Sequence, residues 1–187
     1  MFIQTESTPN PATLKFLPGK SVLDAGTADF PTLKDAAKSP LAQRIFGLSG
    51  INGVFLGIDF ITVTKDDSLA WEHIKPAILG AIMEHYQSGD DAIIGAAENA
   101  GHADHDNGEH NEVIVQIKEL LDTRVRPAVA QDGGDITFHG FDQGVVYLHM
   151  QGACAGCPSS TVTLKMGIEN LLRHFIPEVT EVRAVEL

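Results

Sequence analysis

The chain has 187 residues, two of them cysteines, and 25 acidic against 13 basic residues leave a formal net charge of −12 at pH 7. That charge excludes the basic footprint that duplex nucleic acid or an anionic lipid surface requires, and two cysteines cannot staple a secreted disulfide scaffold. The composition, 43% hydrophobic and 20% charged, is globular; no run reaches the ~18 apolar residues of a membrane span, and Met1–Glu6 opens neither a signal peptide nor an Arg-rich transit peptide, so a reducing cytoplasm is the expected compartment.

Phe2–Glu6 and Thr13–Leu17 read as short strands on either side of the turn Thr8-Pro9-Asn10-Pro11. Pro40–Gly47 reads as a short helix, with Ser39 as its N-cap and Gly47 as its terminator. Val54–Gly57 and Phe60–Thr64 are expected as a strand pair joined at Ile58-Asp59. Trp71, Ile74, Ile78, Ile82 and Tyr86 recur at helical spacing, with Ser68 available as a cap and Pro76 near enough to the start to be tolerated. These elements define a first domain at 1–87.

Residues 88–111 hold small, acidic and His residues with almost no large apolar ones. Such a segment cannot bury enough surface to offset backbone ordering, so it is expected to be a mobile linker. The second domain, 112–187, opens with a helical face of Val113, Ile117, Leu120, Leu121, Val125 and Val129. Gln131-Asp132-Gly133-Gly134-Asp135 stops that helix. Ile136–Phe141 and Val145–Gln151 form a hairpin around Asp142-Gln143-Gly144. After Cys154-Ala155-Gly156-Cys157, Pro158 and Ser159 open a helix whose face is Leu164, Ile168, Leu171, Leu172 and Phe175. Pro177 ends it, and Val179–Val185 is a last strand. The fold class is α+β in two small domains, the C-terminal one α-β-β-α-β with helices packed on a small mixed sheet.

Cys154 and Cys157 are the only cysteines, three apart in a loop between a strand and a helix N-terminus. The helix dipole and free N–H groups there favour thiolate, the form that attacks disulfides and binds metals. Gly152 and Gly156 leave room for the backbone to approach a cofactor. Besides two inert buried thiols, three functional readings fit. A thioredoxin-like dithiol–disulfide pair expects its motif early, in a βαβ context, whereas this one comes late and after a hairpin. A zinc-stabilised interaction module needs four ligands, which His139 and His149 on the predicted strands could complete. An iron–sulfur site shared by two chains would draw its four thiolates from two copies of the one motif.

Three weaker constellations stand beside it. His102, His105 and His110 with Asp104, Asp106 and Glu109 are a candidate divalent-metal tract, but a linker gives no fixed geometry. Asp132 and Asp135 could form an acid–base pair, yet with Gly133-Gly134 between them they are expected to cap and turn the chain. Gly47–Gly53 is glycine-rich, lacks Lys and matches no phosphate loop.

The residues around the cysteines carry a resemblance. Arg126-Pro127, Asp132-Gly133-Gly134-Asp135, the hairpin and Gly152-Ala153-Cys154-Ala155-Gly156-Cys157-Pro158-Ser159-Ser160 resemble the C-terminal NifU-like domain of iron–sulfur scaffold proteins. Thr8-Pro9-Asn10-Pro11-Ala12-Thr13-Leu14-Lys15-Phe16 resembles the opening of the N-terminal domain of the Nfu family. The resemblance implies a carrier rather than an enzyme, holding a [4Fe–4S] cluster through Cys154 and Cys157. It implies two copies bridged by the cluster, an upstream assembly scaffold as source and apo iron–sulfur client proteins as destination; the charge of −12 makes the homodimer cluster-dependent and argues against a nucleic acid or membrane partner. Spacing alone shows a CxxC on a small α/β domain and leaves the oxidoreductase and zinc-module alternatives open.

Overall fold

The computed structural model describes residues 1–95, 111–156 and 158–185. The chain forms two compact units, Met1–Ala100 and Gly101–Leu187. Among the described residues no helix is long and apolar enough to cross a membrane.

The first unit holds β1 (Gln4–Ser7), β2 (Thr13–Leu17), β3 (Ala28–Phe30), a 3₁₀ turn (Asp35–Lys38), α1 (Pro40–Phe46), β4 (Ile51–Leu56), β5 (Ile61–Lys65) and α2 (Trp71–Ser88). Its antiparallel sheet runs β1-β2-β5-β4-β3. Phe16, Leu56, Ile61 and Val63 of the sheet share a core with Leu41 and Ile45 of α1 and Ile74, Ile78 and Ile82 of α2. In the β1–β2 turn, Pro9 and Pro11 have no N–H to donate, so side chains supply the hydrogen bonds. The Thr8 hydroxyl donates to the carbonyls of Asn10 at 2.8 Å and Thr13 at 3.0 Å, and Asn10 Oδ1 accepts from Ala12 N at 3.0 Å. Trp71 Nε1 donates to the Pro11 carbonyl at 3.0 Å, fastening the start of α2 to this turn.

Three details differ from the sequence expectation. Ser39 does cap α1, accepting from Ala42 N at 3.1 Å, but the N-cap position of α2 is Ala70, with no side-chain cap hydrogen bond, and Ser68 instead gives its N–H and hydroxyl to Asp66. The three-residue β3 had no alternating pattern to betray it and exists through its pairing with β4. Residues 89–95 are fastened to the first unit: Ser39 Oγ donates to the Ala92 carbonyl at 2.6 Å, Ile94 N to Lys38 at 2.7 Å, Arg44 pairs with Asp90 at 3.1 Å, and Ala92 and Ile93 pack on the core. The rest of the expected linker through 110, with His102, Asp104, His105, Asp106, Glu109 and His110, lies outside the described residues.

The second unit holds α3 (Asn111–Leu120), a π-helical turn (Leu121–Val125), α4 (Arg126–Gln131), β6 (Gly134–Asp142), β7 (Val145–Gly152), α5 (Pro158–Phe175) and β8 (Glu181–Val185). The one long helix expected from the apolar face is widened in its middle. Pro127 has no N–H to return to the carbonyl four residues back, and Arg126 N instead donates to Leu121, five residues back. Strand β6 pairs antiparallel with β7, and β8 lies parallel to β7, a connection that requires the crossover α5 provides. The hairpin loop is Gln143-Gly144, with φ of 48° and 82° as a type I′ turn demands. Ile117, Leu121, Val125, Ile168 and Leu172 of the helices meet Ile136, Val146, Leu148, Met150 and Val182 on one face of the sheet, so the fold is α+β in both units.

His85 on α2 makes the first unit pH-sensitive. It is 2% exposed, its Nδ1 has no hydrogen-bond partner among the described residues, and burial, followed by the neighbouring Arg44, pulls its pKa below the ordinary imidazole value. The unfolded chain takes up this proton near pH ~6.5 while the folded chain resists it. Stability of the first unit is therefore expected to be full above about pH 7 and to decline as pH falls through ~6.5. Urea unfolding followed by Trp71, the single tryptophan, at pH 7.5 and 5.5 measures the difference, and His85→Leu should abolish it.

Candidate functional site

The site is assembled where three elements of the second unit meet. After β7 the chain turns through Gly152 (φ 61°) and Gly156 (φ 80°), backbone conformations that disfavour any other residue. Cys154 N donates to the Gln151 carbonyl at 3.3 Å and Ala155 N to Gly152 at 3.1 Å. Ala153 N donates to the Gly133 carbonyl at 3.2 Å, which ties the cysteine loop to the turn after α4. On the other side the Thr161 hydroxyl donates to the Cys154 carbonyl at 3.2 Å, tying the loop to the first turn of α5.

Cys154 itself is 5% exposed and belongs to the core of the unit. Its thiol rests on Gly134: a Cβ there would stand 2.4 Å from Sγ, 2.8 Å from the Gln151 carbonyl oxygen and 2.9 Å from Cys154 N. Burial, then the charges of Asp132 and Asp135, push the thiol pKa up to about 12. This corrects the expectation that the helix terminus would favour thiolate. Desolvation outweighs the helix dipole at a thiol seated in apolar surroundings, and the nearest charges are negative.

Asp132 and Asp135 have separate duties. Asp132 caps α4. Asp135 lies in β6 with its side chain 4% exposed, and Arg126 grips it with two hydrogen bonds, Nε to Oδ1 and an Nη to Oδ2, both at 2.9 Å. Oδ1 also accepts from Ile136 N at 2.8 Å. Arg126 further reaches Asp122 at 3.0 Å, and the hydrogen bonds it donates to Asp135 hold its pKa above the ordinary guanidinium value. Asp135 is thus a strand residue locked in an ion pair, where the sequence reading had it turning the chain.

Cys157 lies outside the described residues. His139 is exposed on β6, and His149 on β7 donates from Nδ1 to the Val185 carbonyl at 3.2 Å. Among the described residues no group of three or more His, Cys, Asp or Glu side chains could hold a metal ion, so the zinc site that the two histidines might have completed is not formed there. Sequence reasoning missed two relations, the Arg126–Asp135 pair and the seat of Cys154 on Gly134. All four residues stand in the quoted motif, but no periodicity couples positions across a helix end and a strand root.

Comparison with known proteins agrees with this architecture. Residues 3–89 match the family model "Scaffold protein Nfu/NifU N terminal", and residues 117–183 match the model "NifU-like domain". The chain is 51% identical over 181 residues to "NifU-like protein 4, mitochondrial" of Arabidopsis thaliana, covering 96% of this chain and 64% of the relative. It is 50% identical over 186 residues to "NFU1 iron-sulfur cluster scaffold homolog, mitochondrial" of Homo sapiens, covering 99% and 72%. The chain thus spans somewhat less than two thirds of the plant relative's length. A solution NMR structure of a NifU-like protein from Saccharomyces cerevisiae is similar at 30% identity and a TM-score of 0.46, over 52% of this chain and 87% of that one. A NifU-like second domain preceded by an Nfu-type first domain is a scaffold-protein architecture. The chain belongs to the Nfu/NifU family of iron–sulfur cluster scaffold proteins.

Two substitutions test the site's construction. Gly134→Ala must unseat the thiol, so in a Cys157→Ser background it should raise the iodoacetamide alkylation rate of Cys154 at pH 8 by about tenfold or more. Arg126→Leu strands the Asp135 carboxylate and should cost about 3–5 kcal/mol in urea denaturation followed by circular dichroism, with part of the loss recovered by adding Asp135→Asn.

Proposed function

We propose that this protein is a non-enzymatic scaffold and carrier whose cargo is a [4Fe–4S] cluster, held by Cys154 and Cys157 of two copies. The cluster would come from an upstream assembly scaffold and go to apo iron–sulfur client proteins. The observation that carries this reading is the seat of Cys154, a cysteine on a glycine loop at the meeting of β7, the α4–β6 turn and α5, within the segment that matches the NifU-like model. The human relative is named an iron-sulfur cluster scaffold homolog. Clusters of this kind take four thiolates, and a chain with two cysteines reaches four only as a pair.

Disulfide exchange and iron binding both use the thiolate, and burial favours the protonated form of Cys154. Taking up iron therefore means turning Cys154 out of its seat, with Gly152 and Gly156 as the pivots, and releasing its proton. The same reversibility suits a donor, because the buried thiol offers the loop somewhere to return once the cargo has left. Residues 1–87 and 112–187 act in this reading as separate domains joined through 88–111, the first recognising clients or the source scaffold. The compartment must keep Cys154 reduced, which the cytoplasm expected from the sequence provides.

Anaerobic reconstitution with iron and sulfide tests the reading. The native protein should show the absorption and the iron and sulfide content of one [4Fe–4S] cluster per two chains. Cys154→Ser and Cys157→Ser should each lose it while circular dichroism stays native. Full iron and sulfide content in either variant overturns the assignment.

A further inference from the structure

The charge of the chain is distributed unevenly around the cysteine loop. Residues 143–168 contain no Asp or Glu, although the chain carries 25, and Lys165 is their one Lys or Arg. The run takes in β7, the cysteine loop and the first half of α5. The acids that do approach Cys154 are Asp132 and Asp135, and the latter is neutralised by Arg126.

Within that run, α5 presents two large apolar side chains that the fold does not use. Val162 and Met166 are 56% and 59% exposed. At a spacing of four they lie on one helix face, away from the core-facing Ile168 and Leu172. They also lie close to the thiol loop. Thr161, the neighbour of Val162, is hydrogen-bonded to the Cys154 carbonyl, and with ~1.5 Å of rise per residue Val162 and Met166 stand about 6 and 12 Å along the axis from the helix start.

We propose that Val162 and Met166 form a two-fold contact with the same residues of a second copy when two chains share a cluster. The inference rests on the bridged-cluster reading above. If two copies bring their Cys154 loops to one cluster, symmetry brings their first α5 turns to the same place, and such a contact must be self-complementary. Two chains of −12 repel over most of their surfaces; the first turns of α5 carry no acid, and Glu169 further along the same face is paired with Arg173 at 3.7 Å and accepts from Val182 N, so approach is least opposed there. Two side chains per subunit fall far short of the ~1,000 Å² that a self-sufficient interface buries. The contact therefore cannot hold two chains together by itself, and it adds to iron–thiolate bonds without producing a cluster-free dimer.

The test is sedimentation of the anaerobically reconstituted full-length protein, native and Val162→Asp/Met166→Asp, at matched concentrations. Both positions are exposed, so circular dichroism should be unchanged. The native loaded protein is expected to be a dimer and the double variant to dimerise at least tenfold more weakly. Val115→Asp, at an equally exposed apolar site on α3 (55%), should leave the dimer as it is. A native loaded protein that stays monomeric overturns the bridged-cluster reading itself. A native dimer matched in strength by the double variant overturns the contact and leaves that reading standing. A double variant that dimerises normally but passes its cluster more slowly to an apo-protein also overturns it, assigning the face to clients.

Discussion

The second unit depends on one ion pair held inside the protein, Arg126 with Asp135. Asp135 sits at the root of β6 with almost no contact with water, and an unpaired charge there would cost several kcal/mol. Arg126 meets it with a two-pronged hydrogen bond, a geometry that lysine cannot reproduce. The demand propagates backwards through the chain. Arg126 must end the π-helical turn facing β6, and Pro127 behind it removes the N–H that would have kept the helix regular. It also propagates forwards, because fixing the root of β6 fixes Gly134, and Gly134 is the floor under Cys154.

That floor explains why the thiol is quiet. A side chain of any size at 134 would occupy the space of Sγ, so the glycine serves close approach, its φ being ordinary for a strand. With Sγ against backbone and apolar neighbours, the protonated form is favoured, and the adjacent carboxylates reinforce it. A thiol in this state resists oxidation and chance metal capture, both of which begin from thiolate. On the carrier reading proposed above, the loop would separate storage of the ligand from its use, with an opening step before iron is bound.

Much of this was legible in the sequence, and the remainder was not for identifiable reasons. The stripes Ile74–Ile78–Ile82 and Ile168–Leu172, the Gln143-Gly144 hairpin and the Ser39 cap are local patterns, and each forms the element it predicts. The π-helical turn, the three-residue β3 and the docking of residues 89–95 arise from tertiary contacts that local patterns do not encode. The candidate site was legible as a set of residues but not as an environment. The motif located Cys154 in its loop, yet a rule about helix termini gave the wrong sign for its pKa, because burial is decided by Gly134, twenty positions away in sequence.

The two motifs that made the chain recognisable are used in different ways. Thr8, Asn10 and Pro11 satisfy one another and Trp71, so the N-terminal motif is consumed in closing a turn that lacks two backbone donors. Its distinctiveness reflects a hydrogen-bonding problem with few solutions. In the C-terminal motif Arg126, Asp135 and Gly134 are likewise spent on structure, but the structure they make is a place for one thiol. A distinctive motif thus marks a constraint and leaves its kind unspecified. The two kinds separate on following the hydrogen bonds: in the first motif they join the turn to α2 and to β5, through Lys65 N to the Ala12 carbonyl at 2.9 Å and Thr13 Oγ1 to Thr64 Oγ1 at 3.3 Å, whereas in the second Ala153 N and the Thr161 hydroxyl tie the Cys154 loop to the α4–β6 turn and to α5, and the Cys154 Sγ rests against a glycine.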